Sequence, residues 1–232
     1  MTVQNQLPRI RSIIRFTLPK FFDPETYIWN RFSSADAILV DIRKRDDISN
    51  GEWRRDRLYE ALDKAPYKPR IYVEVTSRRK HPDVWLRDIA TCRHPQLHGF
   101  LMNLKDGDVL RDVEKIVQRG KLVEDRSRAL TKGVSPAFKD ASVLVDIEKK
   151  SIPYVIFKYH NFGARREGGW NHLNDLANKA NAANVMALGW RSRPIRRYRE
   201  LEREMITLKE LGFAGVVLHD SDQIELANKI FS

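Results

Sequence analysis

An α/β fold, a single (β/α)8 barrel of the TIM type, is what this 232-residue chain predicts, and three observations predict it. Eight short apolar, β-branched runs are spaced along the chain, and most close on a polar turn. Helical patterns lie between most of them, and strand alternating with helix eight times over is the sign of a barrel rather than a sandwich. No Gly/Ser linker, composition shift or internal repeat divides the chain, so one barrel domain over 1–232 is expected.

The runs, in order, are SIIRFTL (12–18), AILVDIR (37–43), RIYVEVT (70–76), GFLMNL (99–104), SVLVDIE (142–148), YVIFKYH (154–160), NVMALGW (184–190) and GVVLHD (215–220). Between them, WRRDRLYEALDKA repeats apolar residues at helical spacing up to the Pro66 stop, and VLRDVEKIVQRG ends on a glycine. HLNDLANKANAA and YRELEREMITLKELG carry the same period. The barrel is expected to be irregular around strands five and six. Only KKSIP separates those two runs, whereas a parallel crossover needs about a dozen residues or more. A hairpin, a missing helix, or one interrupted element over 142–160 would each satisfy that spacing. The long stretch 105–141 has room for an extra helix around 122–132.

Composition narrows the function classes. No apolar run approaches the roughly 20 residues of a membrane helix, and MTVQNQLPRIRSIIRF lacks the apolar block of a signal peptide. Cys92 is the single cysteine, which excludes an internal disulfide or a cysteine-rich zinc site; a cytoplasmic protein is expected. The net charge of +11, clustered in WRRDR, SRRKH and the stretch from Trp190 to Arg203, favours anionic partners. A solvated basic surface would look the same, and no aromatic-interleaved nucleic-acid motif accompanies the charge.

In a β/α barrel the working side chains project from the C-terminal strand ends. There the chain places Asp41 and Arg43, Glu74 and Thr76, Asn103 and Lys105, Asp146 and Glu148, Lys158 and His160, and His219 and Asp220. Carboxylates from different strands suit magnesium, which takes hard oxygen ligands. Asp41 and Asp146 are the stronger metal candidates because each closes an apolar run, and an acid there needs a partner or an ion. A nearby histidine, His219 or His160, could move protons near neutral pH. Lys158 is open to two readings, a Schiff-base lysine of depressed pKa or a side chain reaching past a helix to solvent.

The ending GFAGVVLHDSDQIELANKIFS resembles the closing segment of citrate lyase β-subunit-like proteins of the HpcH/HpaI aldolase superfamily. The opening RSIIRFTLPKFFDPETYIWNRFSSADAILVDIRKRDD is similar to their first strand, Pro-containing loop, helix and acidic second strand. RIYVEVTSRRKHPDVWLRDIA and LHGFLMNLKDGDVLRDVEKIV continue the same order, so the resemblance covers about 1–118 and 172–232. It implies making or breaking a carbon–carbon bond next to a carbonyl, on an acyl-CoA or oxo-acid, with Mg2+ stabilising an enolate. Position by position it departs. The Asp-Leu-Glu-Asp strand end reads Asp41-Ile42-Arg43-Lys44, and the third-strand substrate arginine falls on Glu74. Pro-Lys after the fourth strand reads Asn103-Leu104, and the proline after the retained His219 is Asp220. The fifth-strand metal acid falls on Asp146 or Glu148. Residues 143–163 are also similar to type I dehydroquinate dehydratase, whose catalytic histidine would match His160; its Schiff-base lysine has no counterpart in NVMALGW.

Two functions stay open. The first is a carbon–carbon lyase with metal at Asp41 and at Asp146 or Glu148, His219, His160 and Glu74 in catalytic roles, and a small anionic substrate or CoA ester steered by Arg43 and Lys105. The second is a barrel that has lost this chemistry, a basic accessory protein for a phosphorylated ligand or nucleic acid. A homo-oligomer without a membrane anchor is expected in both cases.

Overall fold

Eight strands close into a ring whose spatial order is the chain order. They are β1 (Ser12–Thr17), β2 (Ala37–Asp41), β3 (Arg70–Glu74), β4 (Gly99–Asn103), β5 (Ser142–Asp146), β6 (Ser151–Tyr159), β7 (Met186–Arg191) and β8 (Gly215–Leu218). The structure is a computed structural model that describes residues 9–17, 31–43, 50–63, 69–77, 80–91, 94–103, 142–146, 151–159, 168–182, 185–191, 194–195 and 197–232. Within them lie helices α1 (Asn50–Asp63), α2 (Pro82–Thr91), α3 (Gly168–Ala182), α4 (Tyr198–Glu210) and α5 (Ile224–Ile230). None of these is long and apolar enough to cross a membrane.

The ring departs from an all-parallel barrel at one strand. β5 pairs antiparallel with both β4 and β6, while the other six ladders are parallel. Asn103 faces Ser142 and Gly99 faces Asp146 across β4–β5; Ser142 faces Ile156 across β5–β6. The close spacing of the fifth and sixth runs is therefore resolved as a hairpin. The physical reason is reach: so short a connector can reverse the chain but cannot carry it back along the barrel. The proposed extra helix at 122–132 lies outside the described residues.

Side chains alternate across the ring wall as the period of two requires. Ile13, Leu39, Tyr72, Leu101, Leu144, Ile156, Leu188 and Val217 pack together in the lumen. Their neighbours, among them Ile14, Ile38, Val73, Phe100, Val155 and Val216, pack outward with helix residues such as Leu58, Leu173, Leu208 and Leu226. Ring closure is tight: Val216 N–H donates to the Arg11 carbonyl at 3.0 Å, and an added Cβ at Gly215 would meet the Ile10 carbonyl oxygen at 2.4 Å. α4 ends in a Schellman turn. Gly212 takes φ +89°, its N–H reaching the Lys209 carbonyl and that of Phe213 the Leu208 carbonyl. That turn delivers the chain into β8.

Between α1, α2 and the end of β3 sits a buried ion pair. Arg55 Nη1 donates to Asp88 Oδ1 at 2.8 Å, and Asp88 Oδ2 accepts from the Thr76 backbone N–H at 2.9 Å. It fixes two outer helices to the strand end from which the mouth is built.

Candidate functional site

Strand register sets the composition of the barrel mouth. Thr17, Asp41 and Glu74 are successive partners across β1, β2 and β3, so Asp41 and Glu74 close their strands at one level, on the lumen face. Arg15, two residues before Thr17, shares that face with Ile13. It donates from Nε to Glu74 Oε2 at 2.8 Å and from Nη2 to Asp41 Oδ2. Arg43, just past β2, engages the same two acids: Nε to Asp41 Oδ1 at 2.9 Å, Nη2 to Asp41 Oδ2 at 3.1 Å and Nη1 to Glu74 Oε1 at 2.7 Å. All four carboxylate oxygens thus face a guanidinium.

The quartet is largely withdrawn from water. Asp41 has no exposed side-chain surface, Glu74 has 8%, Arg15 12% and Arg43 36%. Burial first, and then the charge of Asp41, push the Glu74 carboxyl above the usual carboxylate range, against the pull of Arg43 and Arg15. For Arg43, burial works against the charge, but the hydrogen bond to Asp41 and the fields of Glu74 and Asp41 outweigh it and raise its pKa. Arg54 Nη1 donates to the Arg43 carbonyl at 2.6 Å and holds the loop residue in place.

Across the lumen, Lys158 and Trp190 are register partners on β6 and β7. The Lys158 ammonium lies 4.9 Å from the indole centroid and the Arg15 guanidinium carbon 5.2 Å from it. Lys158 is in phase with Ile156 on the lumen face of β6, so the reading of a side chain that reaches past a helix is corrected: it is exposed at the mouth, over the Trp190 ring.

His219 follows the last residue of β8, as the sequence suggests, and its Nε2 lies 2.8 Å from the Arg191 carbonyl oxygen. A carbonyl only accepts, so Nε2 carries the proton. The imidazole lines a small pocket between the barrel wall and α4, with Tyr159, Arg191, Ile195, Glu204 and Gln223. There Tyr159 donates its hydroxyl to Glu204 Oε1 at 2.6 Å, and burial pushes both groups up from their ordinary pKa values. Asp220 accepts from the Asp222 N–H at 3.3 Å and caps the 3-10 turn Ser221–Gln223.

The structure therefore brings Asp41, Glu74 and Arg43 together and separates them from Asp146. Because β5 runs backwards, Asp146 faces Gly99, the first residue of β4, at the end of the ring opposite Asp41. The expected Asp41–Asp146 metal pair is corrected on that ground. Lys105, Glu148 and His160 lie outside the described residues. Among the described residues no group of three or more His, Cys, Asp or Glu could hold a metal ion.

Sequence reasoning did not find Arg15 or Trp190. A signal for Arg15 existed: a cation in phase with Ile13 on an otherwise apolar strand must find an acid.

No family model matches the chain, and no curated protein does either. Solved structures do share its fold. CitE of Mycobacterium tuberculosis, complexed with the triphosphate group of ATP, aligns with a TM-score of 0.61 at 16% identity over 97% of this chain and 98% of its own. The malate synthase of Haloferax volcanii, in a magnesium and glyoxylate complex, gives 0.64 at 11% identity over 98% of this chain and 76% of its own. RipC of Yersinia pestis gives 0.60 at 11% identity, covering 96% and 95%. At such identities the likeness is one of fold: an α/β barrel of the kind seen in citrate lyase β subunits and malate synthases.

Proposed function

We propose that this barrel has given up magnesium-dependent carbon–carbon bond chemistry at Asp41 and Glu74 and binds a small anion without a metal. The observation that carries the reading is the double clamp of Arg15 and Arg43, which occupies every oxygen of the two acids. A magnesium site needs open hard oxygens and a surplus of negative charge. Here two guanidinium charges already balance two carboxylates. A divalent ion about 4 Å from either arginine would meet roughly 8 kcal/mol of repulsion at an effective dielectric near 20. The pair is hydrogen-bonded as well as charged, so neither arginine leaves at small cost.

What favours anion binding is the charge balance of the described mouth residues. Lys158 adds a positive charge beside a quartet that is already neutral, on a chain of net charge +11. Calorimetric titration with Mg2+ and Mn2+ tests the reading, together with an assay for cleavage of oxo-acid and acyl-CoA substrates. No saturable heat and no metal-dependent turnover are expected. Stoichiometric metal binding that disappears in Asp41→Asn, or turnover restored by metal, would overturn it.

A further inference from the structure

One donor of the buried quartet and two beside it are left over. Arg15 commits Nε and Nη2 to Glu74 and Asp41, and Nη1 makes no hydrogen bond among the described residues. Lys158 is exposed and has no ion-pair partner among the described residues; its ammonium rests against the Trp190 ring. Trp190 is only 4% exposed, and its indole Nε1–H is buried with no acceptor among the described residues. An orphaned N–H is unusual in a folded interior, because the group lost its water on burial and received nothing in return. The three groups belong to one neighbourhood, since the Arg15 and Lys158 charges both lie within 5.2 Å of the same indole centroid.

We propose that Trp190, Lys158 and Arg15 form an oxyanion-binding subsite at the barrel mouth, and that its ligand is the carboxylate group of a small organic acid. The assignment rests on the reading above that the mouth binds an anion without metal. Oxygen acceptors are what an indole N–H, an ammonium and a spare guanidinium edge have in common. Among the described residues the charge count favours a carboxylate over phosphate: Arg15, Arg43 and Lys158 against Asp41 and Glu74 leave one positive charge, matching one negative charge. Bound oxygen would satisfy the orphaned N–H, and the ligand charge would replace the solvent around Lys158.

The test follows the indole N–H itself. In a 1H–15N spectrum of the full-length protein, the five tryptophans give up to five indole signals, and Trp190→Phe identifies the one that matters. Acetate and inorganic phosphate are titrated separately in metal-free buffer, with calorimetry in parallel. Acetate is expected to move the Trp190 signal saturably, and Lys158→Gln to weaken that binding about tenfold, the loss of one charge-assisted contact. Because Lys158 is exposed, its substitution leaves the folded barrel intact even if Trp190→Phe does not. Acetate binding that leaves the Trp190 signal unmoved, or is unchanged in Lys158→Gln, overturns the subsite while the anion reading stands. Tighter binding of phosphate than of acetate at the same signal overturns the carboxylate assignment. Absence of heat with either anion overturns the subsite and the anion reading together.

Discussion

Replacing Arg15 by methionine keeps the length of the side chain and removes its charge, and the structure sets the size of the effect. Arg15 is the bridge between Asp41 Oδ2 and Glu74 Oε2, two acids almost without exposed surface. Without it, the two buried carboxylates lose one of the two guanidinium groups that clamp them and keep Arg43. The cheapest escape is to protonate Glu74, whose pKa is already raised by burial. From the ordinary value of 4.5, holding that proton at pH 7 costs about 1.4 kcal/mol for each of 2.5 pH units, or about 3.4 kcal/mol. At pH 5 the same term is about 0.7 kcal/mol. Urea unfolding of wild type and Arg15→Met at both pH values measures the difference, with about 3 kcal/mol expected at pH 7 and under about 1 kcal/mol at pH 5. Adding Glu74→Gln to Arg15→Met removes the surplus charge and is expected to restore more than half of the loss at pH 7. A destabilisation that is flat between the two pH values, or that Glu74→Gln fails to rescue, would refute the account of the mouth as a balanced buried quartet.

Further substitutions at three positions probe the scaffold. Gly215→Ala drives a Cβ to 2.4 Å from one backbone oxygen and 2.6 Å from another at ring closure, whereas at Gly189 the closest atom, at 2.9 Å, is the movable end of Leu208. Thermal denaturation is expected to show Gly215→Ala losing about 3 kcal/mol or more, roughly 2–4 °C per kcal/mol, and Gly189→Ala clearly less; the opposite order would contradict the closure geometry. Glu204, its carboxyl raised by burial, binds a proton more tightly folded than unfolded, so it weakens the fold progressively as pH rises from 4.5 through its folded value. Glu204→Gln still accepts from Tyr159 and is expected to equal or exceed wild type in urea resistance at pH 8, the gap closing toward pH 4. Glu204→Leu removes the carboxylate that the Tyr159 hydroxyl donates to and is expected to lose about 1–3 kcal/mol; a pH profile unchanged by Glu204→Gln would remove the charge argument.

Strand positions were legible because alternation and β-branching act locally: β2, β3 and β4 start where AILVDIR, RIYVEVT and GFLMNL start. The direction of β5 was not. SVLVDIE reads the same whichever way it runs, and only the short connector restricted the choices. That ambiguity misplaced Asp146, an acid that ends an apolar run like Asp41 but at the other pole. Asp41 and Glu74 were recognisable as strand-end acids, and Arg43 as the cation beside them. Arg15 on β1 was legible only as a cation in need of an acid; which acid it meets, 59 residues on at Glu74, leaves no local trace. The Tyr159–Glu204 bond, spanning 45 residues, was hidden for the same reason.

The backward strand also changes what the ring asks of the chain around it. Asn103 and Ser142 stand face to face on one ladder, so the polypeptide departs and re-enters the wall at a single point on the rim. In principle a two-residue turn would satisfy that junction, whereas any parallel neighbour must be reached by travelling the full height of the wall. Length and composition at this joint are therefore less bound by barrel geometry than at any parallel crossover, and the same holds where Asp146 faces Ser151 across β5–β6.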